Sequence, residues 1–359
     1  MKILLANWKD TRHPLAGGAE FYTQQVLEHL ALFGHEVTWF AASAPGLPER
    51  EVTNSVTIIR GGSRLTVAQA ARSYWEREGV LQGFDVIIDE INTKPFHATR
   101  WRDAPPVVAL IHQVAKEVWF EETPLPVALV GRWLLEPAWM RSYRKVPVVT
   151  VSQSSKQSLL DLGLENVTDL GQGGEEQEIR DLTAGLKREL NPTLMFCGRM
   201  SGSKRPLHAL EAFKTIRDEV PEAKLWMVGE GPELESVRSR ASLIGGVEVL
   251  GRVPFKERCE RMASAWSMIV TSRREGWGLI VSEAAAAGTR SVGYDVPGLR
   301  DSIPACGGIL TPESAPDMAS IVIKEHLNLA SMPSPESTGT VSWEDLARRW
   351  EGFLLSAAR

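Results

Sequence analysis

Leu194-Met195-Phe196-Cys197-Gly198-Arg199-Met200-Ser201-Gly202-Ser203-Lys204-Arg205-Pro206 carries an apolar run into a Gly- and Ser-rich loop that ends at a proline. An apolar run without alternation describes a strand covered on both faces, as in parallel sheets. Proline suits the first turn of a helix, where its missing amide would have no partner anyway. Strand, short loop and helix are the opening half of a βαβ unit. The rhythm continues downstream through Lys224–Val228, a helix from Glu233, Val247–Leu250, Ser267–Thr271, a helix at Leu279–Ala287 and Ser291–Gly293. It also runs upstream, through Ile3–Ala6, a helix from Ala19 to about Phe33, Val37–Phe40, Val56–Ile59, Val86–Ile88, Val107–Ile111 and Val148–Val151.

Between the two arrays lies Gly171-Gln172-Gly173-Gly174, then an acidic stretch from Glu175 and a polar segment to Pro192. Three glycines in four residues read as a hinge or linker. The expected class is therefore α/β, with two facing Rossmann-like, doubly wound domains at 1–170 and 192–341 and a linker at 171–191. Trp343, Leu346, Trp350 and Leu354 have helical spacing, so 342–359 is expected as a helix crossing back over the linker, or else capping the second domain. The Pro-, Ser- and Thr-rich stretch 331–340 reads as an exposed loop.

Bulk properties narrow the function. A chain of 359 residues, 43% hydrophobic and 24% charged, can bury two cores without staples. Cys197, Cys259 and Cys306 are odd in number and far apart, so no disulfide framework is expected and a reducing cytoplasm fits. Each reads as a small buried apolar residue rather than a nucleophile. A net charge of −5 argues against nucleic acid as a partner. Met1–Ala6 enters a strand directly, without the pattern of a signal peptide, and no apolar run reaches membrane-spanning length. The expected location is the cytoplasm, with peripheral contact at the inner face of the membrane left open. Leu125–Lys145 mixes Trp133, Leu134, Leu135, Trp139 and Met140 with Arg132, Arg141, Arg144 and Lys145. An amphipathic basic helix could lie on an anionic surface, but a core-facing helix explains the same pattern and is preferred.

Ligands of open parallel sheets bind at the carboxyl ends of the strands. After the first strand, Gly17 and Gly18 precede a helix and would let amides approach an anion; a tight structural turn is the alternative. In the loop after Cys197, Arg199 and Lys204 can converge on a diphosphate, the guanidinium as a fork and the ammonium as a point charge. Gly229 and Gly231 allow close backbone approach at the same sheet edge. Thr271–Gly278 places Glu275 in a loop and Glu283 in the following helix, where two carboxylates could meet different hydroxyls of one elongated ligand. Glu283 lies in an apolar run, where burial without a partner would be costly.

With these residues assembled, the chain resembles the retaining glycosyltransferases of family four, which have the GT-B fold. The resemblance covers nearly its whole length. Glu275-Gly276-Trp277-Gly278-Leu279-Ile280-Val281-Ser282-Glu283 is similar to the family's pair of glutamates separated by seven residues. Gly198-Arg199 with Lys204-Arg205-Pro206, Gly229–Pro232 and Gly293–Asp301 fall where members carry similar segments. The resemblance implies that Arg199 and Lys204 hold the donor diphosphate, assisted by the amides of Gly278 and Leu279. It implies that Glu283 binds the ribose, that Glu275 binds the transferred sugar and that Gly17 and Gly18 close over the diphosphate. His112, at the end of Val107–Ile111, matches a histidine near the reacting sugar. Asp89–Phe96 and His112-Gln113 with Glu117 look like a subgroup of the family, and Asn92, Gln113 and Glu117 fall on the acceptor side. Gly171–Glu175 departs from the shorter Asn-Gly or Glu-Gly element of many relatives.

The expected partners are a nucleotide-sugar donor, UDP-sugar first, and a carbohydrate, lipid-linked or small-molecule acceptor. No DxD-like motif stands at a suitable strand end, so no metal or other cofactor is expected. Competing readings are a sugar-nucleotide epimerase or phosphorylase on the same fold, a nicotinamide oxidoreductase, and a non-catalytic sugar-nucleotide-binding protein.

Overall fold

The computed structural model describes residues 1–326 and 334–358. The first three residues of the stretch 331–340 lie outside the described residues. The chain divides into two units. One comprises Met1–Lys116, Val130–Gly173 and Val341–Arg359; the other comprises Glu117–Leu129 and Gly174–Thr340.

The first unit is built on eight strands: β1 (Lys2–Ala6), β2 (Glu36–Ala41), β3 (Arg50–Thr53), β4 (Val56–Arg60), β5 (Val86–Glu90), β6 (Val107–Leu110), β7 (Val148–Thr150) and β8 (Val167–Asp169). Their order is β3-β4-β2-β1-β5-β6-β7-β8, and only β3 is antiparallel to its neighbour. β1 is central because Ile3, Leu4, Leu5 and Ala6 are all buried, and helices cover both faces. The order reverses between β1 and β5, which puts the crevice at their carboxyl ends. The β3–β4 hairpin turns at Asn54 and Ser55, both at positive φ (48° and 66°), the backbone a two-residue hairpin turn requires.

The second unit follows β9 (Gly173–Gly174) and carries β10 (Thr193–Cys197), β11 (Lys224–Val228), β12 (Val247–Gly251), β13 (Ser267–Val270), β14 (Ser291–Tyr294) and β15 (Ile309–Thr311). The sheet is parallel, in the order β12-β11-β10-β13-β14-β15. Its reversal lies between β10 and β13, beneath the loops 198–205 and 271–278. Its core packs Phe213, Leu210, Met227, Ile269, Val281 and Leu299.

Two expectations need correcting. Residues 171–191 are not simply a linker, because Glu176–Thr183 is a helix. Ile179 anchors it among Met195, Trp226, Cys259 and Met262. Gly173 and Gly174 serve packing rather than bending: an added Cβ on Gly173 would overlap the Trp343 ring, and one on Gly174 would meet Thr340. The segment before Lys145 is core-facing only in part: Met140 and Tyr143 join the core, but the residues at Trp133–Leu135 do not. Gly131, Glu136, Met140 and Tyr143 turn inward, while Trp133 and Leu134 are 63% and 65% exposed. A π-turn at Gly131–Leu135 inserts an extra residue and rotates the apolar stripe outward.

The terminal helix, Trp343–Ala357, belongs to the first unit although it follows the second in the chain. Ser342 caps it by accepting the Asp345 amide at 3.0 Å. Trp343, Leu346, Trp350 and Leu354 form its buried face, as their spacing predicts. The Trp350 indole donates to the Tyr22 hydroxyl at 2.9 Å, joining this helix to Gly18–Leu32.

Candidate active site

In the second unit the loops after β10 and β13 meet. The ammonium of Lys204 is ion-paired with the Glu275 carboxylate, which also accepts from the Ser272 hydroxyl at 2.7 Å. Thr271 fixes the register of the two loops by donating to the carbonyls of Lys204 and Arg205, at 2.9 and 2.8 Å. Arg199 lies exposed in the same loop, five positions before Lys204. A third loop pins the backbone of Glu275: its amide donates to the Pro297 carbonyl at 3.0 Å. An added Cβ on Gly298 would overlap the Glu275 carbonyl, so glycine is needed there.

Gly278, at φ +97°, caps the helix Leu279–Ala286 and turns its first amides toward this loop cluster. Gly276 and Trp277 form the bend before it, and the Trp277 indole donates to Ser282 at 2.9 Å. Glu283 projects from the second turn of the helix. One of its oxygens accepts from Arg258 at 3.1 Å, while the other is buried and lies 3.0 Å from the same guanidinium, an ion-pair distance without hydrogen-bond alignment. Burial holds the Glu283 carboxyl above its usual range, with Arg258 acting in the opposite direction. Glu175 lies near enough to feel this charge: burial, then Glu178 and Glu283, push its carboxyl up to about 7.

Gly229 and Gly231 do admit a close backbone approach, that of the neighbouring loop. Their missing side chains accommodate the backbone of Gly198 and Met200, which the neighbouring loop presses against them. Gly198 donates to Val228 and Met200 to Glu230, at 3.0 and 2.9 Å, closing that contact. Glu117, expected on the acceptor side, belongs to this unit and pairs with the buried Arg274 at 3.1 Å. Arg273 likewise reaches Glu121 at 3.3 Å and Glu313 at 2.5 Å.

In the first unit the polar groups gather where the strand order reverses. Glu20 is buried one turn into the first helix. It accepts from the Gly17 amide at 2.7 Å and pairs with Lys9 at 3.1 Å. The Gly17 amide is therefore occupied by the helix's own carboxylate, the structural alternative for this turn. Asn92 donates to Asn7 and Glu20, at 2.9 and 3.1 Å. His112 follows β6 with its Nε2 3.3 Å from the buried Glu90, an ion-pair distance without hydrogen-bond alignment. Thr23 donates to the other Glu90 oxygen at 2.8 Å. The ring of Tyr22 stands edge-on to that of His112 at 5.0 Å. Gln113 keeps a buried side-chain oxygen without a hydrogen-bond donor among the described residues. Asp89 is structural: it accepts the Phe96 and Ala98 amides, each at 3.1 Å, and the Tyr143 hydroxyl.

No group of three or more His, Cys, Asp or Glu side chains is placed to hold a metal ion among the described residues. The cysteines are poor nucleophiles, since burial pushes Cys197 and Cys259 up to about 12 and Cys306 to about 11.

Residues 16–168 match the family described as Glycosyltransferase Family 4, and residues 191–327 match Glycosyl transferases group 1. The chain belongs to glycosyltransferase family 4. This glycosyltransferase is 26% identical to a phosphatidyl-myo-inositol mannosyltransferase of Mycolicibacterium smegmatis, over 86% of its own length and 80% of that protein's. It is also 26% identical to a 2-deoxystreptamine glucosyltransferase of Streptomyces kanamyceticus, over 58% of this chain and 56% of the other. Its fold matches a sucrose-phosphate synthase from Thermosynechococcus elongatus with a TM-score of 0.74 at 18% identity, covering 99% and 96% of the two chains. These likenesses identify the GT-B fold.

Glu20, Lys9, Glu90, Arg258 and Glu175 were not singled out in the sequence of the glycosyltransferase. Glu90 and Arg258 meet partners 67 and 25 positions away, across separations no local motif spans, whereas Glu20 also caps its own helix at Gly17. The one available signal was the unbroken Asp89-Glu90 at the end of a strand otherwise wholly apolar.

Proposed function

We propose that the enzyme transfers a sugar from a nucleotide-diphosphate donor with retention of anomeric configuration and without a metal ion. A UDP-sugar is the first donor to test. The observation that carries this reading is the Lys204–Glu275 pair where two loops meet, followed by a helix that holds the buried Glu283 carboxylate against Arg258. Ribose hydroxyls would share the Glu283 carboxylate with Arg258, in line with the resemblance stated above.

Lys204 would exchange Glu275 for the diphosphate, leaving Glu275 to accept from hydroxyls of the sugar. Arg199 and the amides of Gly278 and Leu279 would add positive potential where charge develops on the leaving group. That charge would otherwise be a metal's task, so no cofactor is assigned. No enzyme carboxylate is assigned as a nucleophile; the departing phosphate would take the acceptor's proton as the new glycosidic bond forms on the same face. His112, oriented by Glu90, would stand at the sugar, with Asn92 and Gln113 toward the acceptor. The acceptor is a glycan, a lipid-linked molecule or a small molecule. The lipid-linked case is favoured by the mannosyltransferase relative, whose name contains phosphatidyl-myo-inositol. We place the enzyme in the cytoplasm, attached peripherally to a membrane surface when at work.

The test is thermal shift with UDP-, GDP-, ADP- and dTDP-sugars in EDTA, followed by the anomeric configuration of the product. Stabilisation by one nucleotide family and a retained anomer are expected. Stabilisation that requires a divalent ion, or an inverted product, would overturn the reading.

A further inference from the structure

The residues after Val130 in the first unit present an apolar face that nothing in that unit covers. Val130 is 46% exposed, Trp133 63%, Leu134 65% and Leu135 39%. The Arg132 guanidinium lies over the exposed Trp133 ring, 4.7 Å from its centre. An aromatic ring with a cation at its face suits the boundary between headgroups and acyl chains. The helix continues through Glu136–Ser142, and Arg141 follows Leu134 by two turns, roughly 10 Å along the same exposed stripe.

Arg141 opens a groove of about 810 Å³ that also takes in Arg144, Lys145, Trp101, Asp103 and Pro147. The groove lies at the amino ends of β6 and β7, the edge of the sheet opposite His112. Arg144 is paired with Glu165 at 2.7 Å, and Asp103 with Arg102 at 3.3 Å. Arg132, Arg141 and Lys145 have no carboxylate at ion-pair distance among the described residues. The nearest acid in the sequence, Glu136, is buried and accepts the Ala115 and Lys116 amides, at 2.6 and 3.0 Å. On a chain of net charge −5, this face alone of the segment is basic as well as apolar.

We infer that Val130–Lys145 is a docking face for an anionic phospholipid bilayer. Trp133, Leu134 and Leu135 enter the headgroup boundary, and the groove cations Arg141 and Lys145 take phosphate groups of the lipid. No helix among the described residues is long and apolar enough to cross a membrane, so attachment is interfacial. This deepens the peripheral location proposed above and rests on it; it does not depend on the donor chemistry.

The test is co-sedimentation of the full chain with vesicles of phosphatidylcholine alone and of phosphatidylcholine mixed equally with phosphatidylglycerol. Binding to the anionic vesicles, weakened by salt, is expected. Arg141→Ala and Lys145→Ala should each lower the partition about fivefold, and Trp133→Ser with Leu134→Ser at least about tenfold. All these side chains are exposed, so nucleotide-sugar thermal shifts measured without vesicles should stay unchanged, which separates failure of this face from failure of the donor site. No binding to anionic vesicles, or binding that survives both sets of substitutions, would overturn the inference. So would a concentration-dependent dimer abolished by Trp133→Ser with Leu134→Ser, since the face would then serve a second copy of the chain.

Discussion

Lys204 and Glu275 neutralise each other at the meeting of two loops, so changing either one frees the other. Lys204→Ala removes a charge from the leaving-group site, and kcat should fall about 100- to 1000-fold. Glu275→Gln keeps the shape and should act mainly on the sugar, lowering kcat/KM with nucleotide affinity nearly intact. Steady-state kinetics paired with UDP titration distinguishes the two; equal loss of nucleotide binding in both would contradict the assigned roles. Glu175 predicts a pH dependence. Its carboxyl is raised from 4.5 to about 7, so folding favours its neutral form. That contribution is complete below the ordinary carboxyl range and is lost as the pH climbs to about 7. Glu175→Gln should flatten the stability profile between about pH 5 and 7 and stabilise the protein above that. The gain should be about 1–2 kcal/mol, because the side chain is only half-buried and water screens it. Melting temperatures of both proteins across that range provide the check. At this scale Glu275, Glu283 and Lys204 were legible because each lies in a loop or helix start fixed by local spacing. Arg258, which pairs with Glu283 from 25 positions away, was not.

Glycines shape the elements around the site more by what they leave out than by freedom of movement. Gly298→Ala would push its methyl against the Glu275 carbonyl, and Gly229→Ala would drive one into Gly198. Both obstacles are backbone and cannot swing aside. Each substitution should cost about 2–4 kcal/mol, with strain at positive φ added to the clash. Gly298→Ala should also raise the donor KM by moving the Glu275 loop. Denaturant unfolding and donor kinetics on both variants test this. The alternating strands and helices were readable because buried parallel strands are apolar along their whole length. The β3 edge strand was not, since its turn is Asn54-Ser55 rather than an Asn-Gly pair, and edge strands carry no continuous apolar run. The outward face of Gly131–Leu135 was the less favoured of two readings for another reason: one extra residue in a helical turn shifts every later side chain, and composition does not reveal it.

The whole molecule is two units, and the first is assembled from three separate stretches of chain. Its last stretch contributes Trp350, fully buried and bonded to Tyr22. Trp350→Ala should cost the first unit about 3–5 kcal/mol through the cavity and the stranded hydroxyl. Calorimetry should show the transition of one unit moving down while the other holds; a common shift of all unfolding would mean the two melt as one. The two-array plan was plain from the sequence. The return of the final helix was legible from its spacing, whereas the transfer of 117–129 to the second unit depends on ion pairs such as Glu117 with Arg274.

The return of that helix also sets an order of events during synthesis. Residues 174–340 leave the ribosome before the helix that completes the first sheet's cover has been made. At about 5–20 residues per second, the apolar side of Tyr22, 328 positions before Trp350, waits roughly fifteen to sixty-five seconds for it. The unit whose synthesis starts first is therefore the last to finish folding, and that interval is when a nascent chain of this enzyme would most need a chaperone.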